Sequence, residues 1–115
     1  MFPQKNRLRH EQDIKMLFSK GKSIFGNVIG LKFRKNGFSD TRFAVVVGSK
    51  VAKSAVERNR IRRKIREVIR VRIPQITCGY DVVILVRPGA VKKTNTEIES
   101  IILEILKKSA LLKNV

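Results

Sequence analysis

The segment SAVERNRIRRKIREVIRVR, from Ser54 to Arg72, decides how the rest of the chain must be arranged. Between Arg58 and Arg72, eight of fifteen residues are basic, seven of them arginine, and Glu67 is the only acid. Apolar residues recur through the same segment with a period of 3.6 residues, which predicts a helix with one buried stripe. The stripe consists of Ile61, Ile65, Val68 and Ile69.

A second face of this helix is strongly cationic. Successive residues of a helix are rotated by about 100° around its axis, and this face lies about 100 to 200° around the axis from Ile61. It consists of Asn59, Arg62, Arg63, Arg66 and Arg70. A merely solvated helix usually neutralises its charges through i,i+4 pairs, whereas this one is expected to cancel almost none of its own. Because arginine grips phosphate through a planar fork and stacks on bases, the face predicts a nucleic-acid interface.

Composition supports a folded, basic domain. The chain of 115 residues is 43% hydrophobic, which predicts a single domain over residues 1–115 with a true core. The net charge of +17, from 26 Lys and Arg against 9 Asp and Glu, predicts that anions stabilise the folded state. One cysteine and one histidine exclude an internal disulfide and a structural zinc site. No signal peptide or membrane span is recognised, so a cytoplasmic protein is expected.

The first half of the chain predicts a helix followed by strands. Residues Glu11 to Ser19 have helical apolar spacing, and Gly21 is placed to end that helix. Residues Ser23 to Arg34 predict one or two strands, in which two glycines indicate a bulge or a bend. Asn36-Gly37 is a hairpin-type turn signal. Residues Thr41 to Val47 are apolar on both faces, as in a central strand.

The second half repeats the alternation of helix and strand. Ser54 is the expected N-cap of the basic helix, which must end before Pro74. Asp81 to Arg87 predicts a second buried strand, and Thr94 with Glu97 forms a capping-box pattern that opens a last helix. The expected fold is therefore α+β, a single-domain sandwich of order α-β-β-β-α-β-α around a central sheet. A rigid sheet would hold the basic face outward.

The basic helix and the loop before it resemble the signature of the bacterial ribonuclease P protein subunit. That subunit assists a catalytic RNA in removing 5′ leaders from precursor tRNAs. The signature residues are Ser49-Lys50, Ala55-Val56, Arg58-Asn59-Arg60-Ile61-Arg62-Arg63 and Arg66-Glu67. The resemblance extends to Asn6-Arg7-Leu8, Asp13 through Phe18, Asp81-Val82-Val83-Ile84 and the closing helix. It implies a left-handed β-α-β crossover around the basic helix, although about 98% of such crossovers are right-handed.

The resemblance also implies two sets of site residues. The set that binds the catalytic RNA is Lys50, Lys53, Arg58, Asn59, Arg60, Arg62, Arg63 and Arg66. A cleft between the first helix and the sheet would hold the single-stranded leader, and its residues are Ile14, Phe18, Lys32 and Phe33. Ile14 and Lys32 stand where the family usually has phenylalanine and tyrosine, and Phe33 is expected to compensate through a shifted register. From its helical spacing with Ile14 and Leu17, Phe18 is also compatible with an ordinary core position.

No self-sufficient active site is recognisable. Asp13, Asp40 and Asp81 are isolated in sequence and His10 has no evident partner, so metal-assisted or general acid–base cleavage by the protein is not expected. The resemblance implies that the RNA carries the catalysis and coordinates Mg²⁺, with no cofactor on the protein and no membrane or DNA partner. Two alternatives remain: a ribosomal or other structural RNA-binding protein, and a DNA-binding regulator. Against the regulator, no helix just upstream completes a helix-turn-helix motif.

Overall fold

Helices and strands follow the predicted order. A computed structural model describes residues 3–113 of the chain. Helices α1, α2 and α3 span Glu11–Lys20, Ala55–Arg72 and Asn95–Lys108, and strands β1 to β4 span Lys22–Phe25, Ile29–Lys35, Arg42–Val47 and Tyr80–Val86. The α+β prediction is confirmed, and the segment predicted as one or two strands forms two.

The helix ends are set by local hydrogen bonds. The Ser54 hydroxyl accepts a hydrogen bond from the first turn of α2 at 3.5 Å, as expected of an N-cap. Thr94 and Glu97 form the predicted capping box at the start of α3, with hydrogen bonds of 3.0 and 3.2 Å. Helix α1 ends at Gly21, where a Cβ atom would lie 2.6 Å from the carbonyl oxygen of Leu17. Short-range chemistry therefore bounds each helix.

The sheet has the strand order β1-β2-β4-β3. Strand β2 pairs antiparallel with β1 and β4, whereas β3 pairs parallel with β4, so that α2 connects neighbouring parallel strands. The prediction that residues 41–47 form a central strand is wrong, because β3 lies at the edge. Strand β3 can be apolar because the N-terminal segment covers part of that edge, where the amide of Leu8 donates to the carbonyl oxygen of Phe43 at 2.9 Å. The left-handed sense of the crossover stays a prediction.

The helices pack on both faces of the sheet. Helices α2 and α3 share one core with β2, β3 and β4, and alternate residues of β3 and β4 point into it. These are Phe43, Val45, Val47, Val82, Ile84 and Val86. Helix α1 covers the other face, where Leu17 packs on Val83 in a smaller cluster. Alternation along the strands then decides which residues face α1.

An ion-pair network fixes α1 to the sheet. The Arg42 guanidinium donates to both carboxylate oxygens of Asp81 at 2.8 and 2.7 Å, and to Asp13 of α1 at 3.3 Å. The Arg42 and Asp81 side chains are only 16% and 8% exposed. The hydrogen bonds that Arg42 donates to the Asp81 carboxylate raise the pKa of Arg42 above its ordinary value. Loss of one partner would leave the other as an uncompensated buried charge.

Candidate nucleic-acid interface

Helix α2 presents arginines that no acid neutralises. Its buried stripe packs on the sheet side, as predicted, and this turns Arg63 and Arg66 to solvent. Within residues 3–113, neither of these two arginines forms an ion pair. Partial burial lowers the pKa of Arg66 below its ordinary value, and the positive charges of Arg62 and Arg7 lower it further. An anion bound here would relieve this repulsion.

Other arginines of α2 are neutralised, so the expectation that the helix cancels almost no charge is only partly met. Two partners lie at i,i+3 on the helix itself, and the third belongs to α3. The pairs are Arg60 with Glu57 at 2.8 Å, Arg70 with Glu67 at 2.5 Å and Arg72 with Glu99 at 3.3 Å. Exposed pairs of this kind contribute little to stability. In the described part of the chain, Arg62, Arg63 and Arg66 therefore carry positive charge that no acid of the helix pairs with, although Glu67 lies near Arg63 and Arg66.

Arg58 organises the loop that precedes α2. Its guanidinium donates to the carbonyl oxygens of Ala52 and Lys53 at 2.9 and 2.8 Å. The loop presents Lys50 and Lys53 to solvent. The structure therefore gives Arg58 a positioning role in addition to its charge.

Next to that loop, Asn59 is tied to the cationic face. Its side-chain oxygen accepts a hydrogen bond from Arg62. The guanidinium of Arg62 thus lies beside Asn59 and contributes to the positive field at Arg66. Asn59 and Arg62, which were both predicted to bind RNA, therefore lie on the same cationic face of α2 as Arg66.

A groove of about 760 Å³ runs between α2, the edge of β3, the start of α1 and the N-terminal segment. Four arginines line it: Arg7, Arg9, Arg63 and Arg66. Its apolar lining includes Ile14, Ala44 and Val46. We call this feature the arginine groove. It brings Ile14, predicted for the leader cleft, together with two arginines predicted to bind RNA.

Two residues of the arginine groove were not assigned to the site from sequence. Arg7 and Arg9 precede α1, and the backbone of Leu8 between them is hydrogen-bonded to β3. The sequence did contain a signal for them, because Arg7 and Arg9 flank the apolar Leu8 just before the first helix. Only the pairing with β3 places them opposite Arg63 and Arg66.

Phe18 lies at the surface, on the face of the sheet that α1 covers. Its side chain is 45% exposed, and the ammonium group of Lys32 is 5.5 Å from its ring centroid. Phe18 belongs to neither described core cluster, so the core alternative does not hold. Phe18 and Lys32 together form an exposed aromatic ring with a cation above it.

Phe33 does not lie in this cleft, and the prediction that it compensates for Lys32 is wrong. Neighbouring residues of a strand point to opposite faces, so Phe33 faces α2 and α3 when Lys32 faces α1. Phe33 is 7% exposed within the main core, and its ring lies 6.4 Å from that of Tyr80. The predicted leader residues that share one face are therefore Ile14, Phe18 and Lys32.

The chemistry of the groove and of the adjoining ring suits the binding of an anion that carries planar groups. Guanidinium groups at the walls match phosphate oxygens, and the apolar lining and the Phe18 ring match splayed bases. In the described part of the chain, no group of three or more His, Cys, Asp or Glu side chains could hold a metal ion. Across the same residues, no helix has the length and apolar character needed to span a bilayer.

Solved structures share this fold. The ribonuclease P protein of Staphylococcus aureus superposes with a TM-score of 0.87 at 25% identity, covering 94% of this chain and 98% of that one. The ribonuclease P protein of Thermotoga maritima gives a TM-score of 0.82 at 30% identity, covering 89% of this chain and 96% of that one. Both similarities extend over nearly the whole molecule.

Sequence comparison agrees with the structural similarity. The ribonuclease P protein component of Microcystis aeruginosa (strain NIES-843 / IAM M-2473) is 38% identical over 94 residues, which cover 78% of each chain. That of Alkaliphilus oremlandii (strain OhILAs) is 33% identical over 109 residues, which cover 95% of each chain. The family model described as Ribonuclease P matches residues 2–110. The chain therefore belongs to the ribonuclease P protein family.

Proposed function

We propose that this chain is the protein subunit of a bacterial ribonuclease P, acting in the cytoplasm. It binds the catalytic RNA and the 5′ leader of precursor tRNA, and so assists the endonucleolytic removal of that leader. The observation that carries this proposal is the arginine groove, where unpaired arginines border an apolar lining. A polyanion with exposed bases matches both features at once.

The catalytic RNA would bind the cationic face of α2 and the loop before it. Sheet and core hold α2 rigidly, so Arg62, Arg63 and Arg66 are preorganised for the phosphates of a folded RNA. Lys50 and Lys53 extend the same positive surface. Recognition here is expected to depend on shape and backbone rather than on base sequence.

The leader would lie along the arginine groove and the adjoining sheet face. Ile14 and Val46 offer apolar contact, and Phe18 with Lys32 offers a ring and a charge within one nucleotide's reach. Ile14 and Lys32 replace the two aromatic residues usual in the family. We therefore expect leader binding to rely more on electrostatic and aliphatic contacts than in relatives that retain both rings.

Leader binding assists a reaction that occurs elsewhere. Contacts remote from the scissile bond add binding energy and orient the substrate on the catalytic RNA. The RNA would carry out the cleavage and coordinate Mg²⁺, and the protein would contribute neither a metal ligand nor a cofactor. The chain's own residues neutralise phosphates and hold the leader in an extended course.

Reconstitution tests the proposal directly. Purified protein is mixed with a bacterial ribonuclease P RNA at a Mg²⁺ concentration at which the RNA alone is slow, and leader removal is followed. We expect the protein to accelerate cleavage at the mature 5′ end. Absence of acceleration at all ratios would refute the proposal, as would cleavage by the protein after nuclease removal of every RNA.

A leader-length series separates this function from that of a structural RNA-binding protein. The reconstituted complex should bind precursor tRNA with a leader of several nucleotides more tightly than mature tRNA. Equal affinity for both would favour the structural role. Strong competition by duplex DNA at moderate salt would instead favour a DNA-binding regulator.

A further inference from the structure

One row of residues crosses all four strands on the face that α1 covers, next to the row of Lys32. Strand pairing places Phe25 opposite Gly30, Gly30 opposite Leu85, and Leu85 opposite Val46. Val46 also lines the arginine groove, so this row starts where that groove ends. Phe25 and Val46 are 59% and 39% exposed, which leaves an apolar strip on the sheet surface.

The Phe25 ring lies over the backbone of Gly30. A Cβ atom at position 30 would be 3.0 Å from Cδ1 of Phe25, a contact so tight that the ring would have to shift by a few tenths of an ångström. Glycine at this position therefore makes room for the ring against the sheet. The pairing of a large ring with a residue lacking a side chain fixes where the exposed face of the ring is presented.

Arg87 completes the arrangement. Its guanidinium carbon is 5.6 Å from the Phe25 ring centroid, and one of its nitrogens is 3.4 Å from the carbonyl oxygen of Gly26. An exposed ring with a cation held beside it repeats the combination formed by Phe18 and Lys32. A base can stack on the ring while its phosphate meets the guanidinium.

Charge on this face favours an anionic ligand. Among the described strand residues that face α1, Asp81 is the one acid, and Arg42 already binds both of its carboxylate oxygens. The other charged strand residues on this face are Lys32 and Arg34, and Arg87 follows β4. The groove that Phe25 also lines carries Lys93 and Lys108 against one acid, Glu104. An acidic, base-bearing strand satisfies the cations and the apolar strip together, whereas an apolar protein segment would leave the cations unmatched.

We propose that Phe25 and Arg87 form a second base-stacking position for single-stranded RNA, one row beyond Phe18 and Lys32. This inference rests on the proposed function and extends it to a specific position for one leader nucleotide. Rows of the sheet that face the same way are about 6.6 Å apart along a strand. One extended strand can therefore contact both rings in succession.

The test uses the reconstituted holoenzyme and precursor tRNAs with leaders of increasing length. Phe25→Ala should reduce affinity by about 5- to 100-fold once the leader is long enough to reach the ring, with no change for shorter leaders or mature tRNA. The matched control is Phe38→Ala. Phe38 is 61% exposed beside the Arg42 guanidinium at 4.9 Å, but it lies past the other end of β2 and should leave every affinity unchanged.

Two further variants test the position itself. Gly30→Val should displace the ring and reproduce the effect of Phe25→Ala, with folding checked by circular dichroism. Because the chain has no tryptophan, Phe25→Trp introduces a single indole that can be excited selectively over Tyr80, and a long leader should quench its fluorescence whereas mature tRNA should not. Absence of quenching would refute the stacking.

The outcomes separate the two proposals. If the unaltered protein distinguishes long leaders from mature tRNA but Phe25→Ala keeps that difference in full, the second stacking position is wrong and the proposed function stands. A loss that is equal for all substrates would also overturn it, because that pattern indicates a general defect. If the unaltered protein shows no leader dependence, leader binding and the second position fail together.

Discussion

The arginine groove makes a quantitative prediction about salt dependence. The perturbation is the double substitution Arg63→Ala with Arg66→Ala. Both side chains line the groove, and neither has an acid partner in the part of the chain that the structure describes. Alanine is the best helix former, so α2 should remain intact. The variant therefore removes free positive charge without removing packing from the core.

The magnitude of the salt effect follows from the number of counterions released when the protein neutralises RNA phosphates. If the protein neutralises about six phosphates, the slope of log affinity against log salt is about −4 to −5. Each lost contact reduces the slope by about 0.7 to 0.9, so the double variant should lose about 1.6 units. Between 0.1 and 0.2 M potassium, the affinity of the unaltered protein for the catalytic RNA should fall about 16- to 32-fold, and that of the variant only about 5- to 11-fold.

The control removes the same formal charge from arginines that are already neutralised. Arg60→Ala with Arg70→Ala lies on the same helix, but these residues form ion pairs with Glu57 and Glu67. Filter binding or fluorescence anisotropy at fixed Mg²⁺ gives the slopes. The control should change the slope of log affinity against log salt by less than half as much as Arg63→Ala with Arg66→Ala does. Equal slopes for the two double variants would refute the view that unpaired arginines dominate RNA binding.

Three other measurements test the structure around the site. Arg42→Met should lower the free energy of unfolding in urea by about 3–5 kcal/mol, and adding Asp81→Asn should restore most of it; a loss below about 1 kcal/mol would contradict a buried ion pair. The pKa of Glu97 is lowered mainly by the hydrogen bond from the Thr94 amide, so its stabilising effect is present above the ordinary value of 4.5 and is lost as pH falls through the lower folded value. Glu97→Gln should accordingly flatten the fall of Tm below about pH 4.5, and parallel curves would refute this. Phe18→Ala should weaken binding of leader-bearing tRNA at least about fivefold and spare mature tRNA; equal losses for both would indicate a packing defect instead.

Local chemistry explains why much of the fold was predictable. The apolar stripe of α2, the cap at Ser54 and the box formed by Thr94 and Glu97 depend on residues within one or two turns of each other. The amide of Gly21 likewise closes the last turn of α1 by donating to the carbonyl oxygen of Leu17, four positions earlier, at 2.9 Å. Each of these interactions forms in the same way wherever the element is finally placed.

Strand position and register were less predictable. A covered edge strand and a central strand are both apolar, so composition could not reveal that β3 lies at the edge. Which face a strand residue occupies changes with a shift of one position, which is why Phe33 was misassigned to the cleft beside Lys32. Pairing with β1 and β4 settles that register, and those partners come from separate parts of the chain.

The sequence by itself determined the sign and density of the charge, the two faces of α2 and the family resemblance, because these depend on residue identity and helical periodicity. Only the tertiary structure decided which arginines stay unpaired, since Glu99 neutralises Arg72 from another helix. It also decided that Arg7 and Arg9 reach the arginine groove and that Phe25 lies over Gly30. These contacts join residues separated along the chain, so they exist only once strand order, register and helix packing are set.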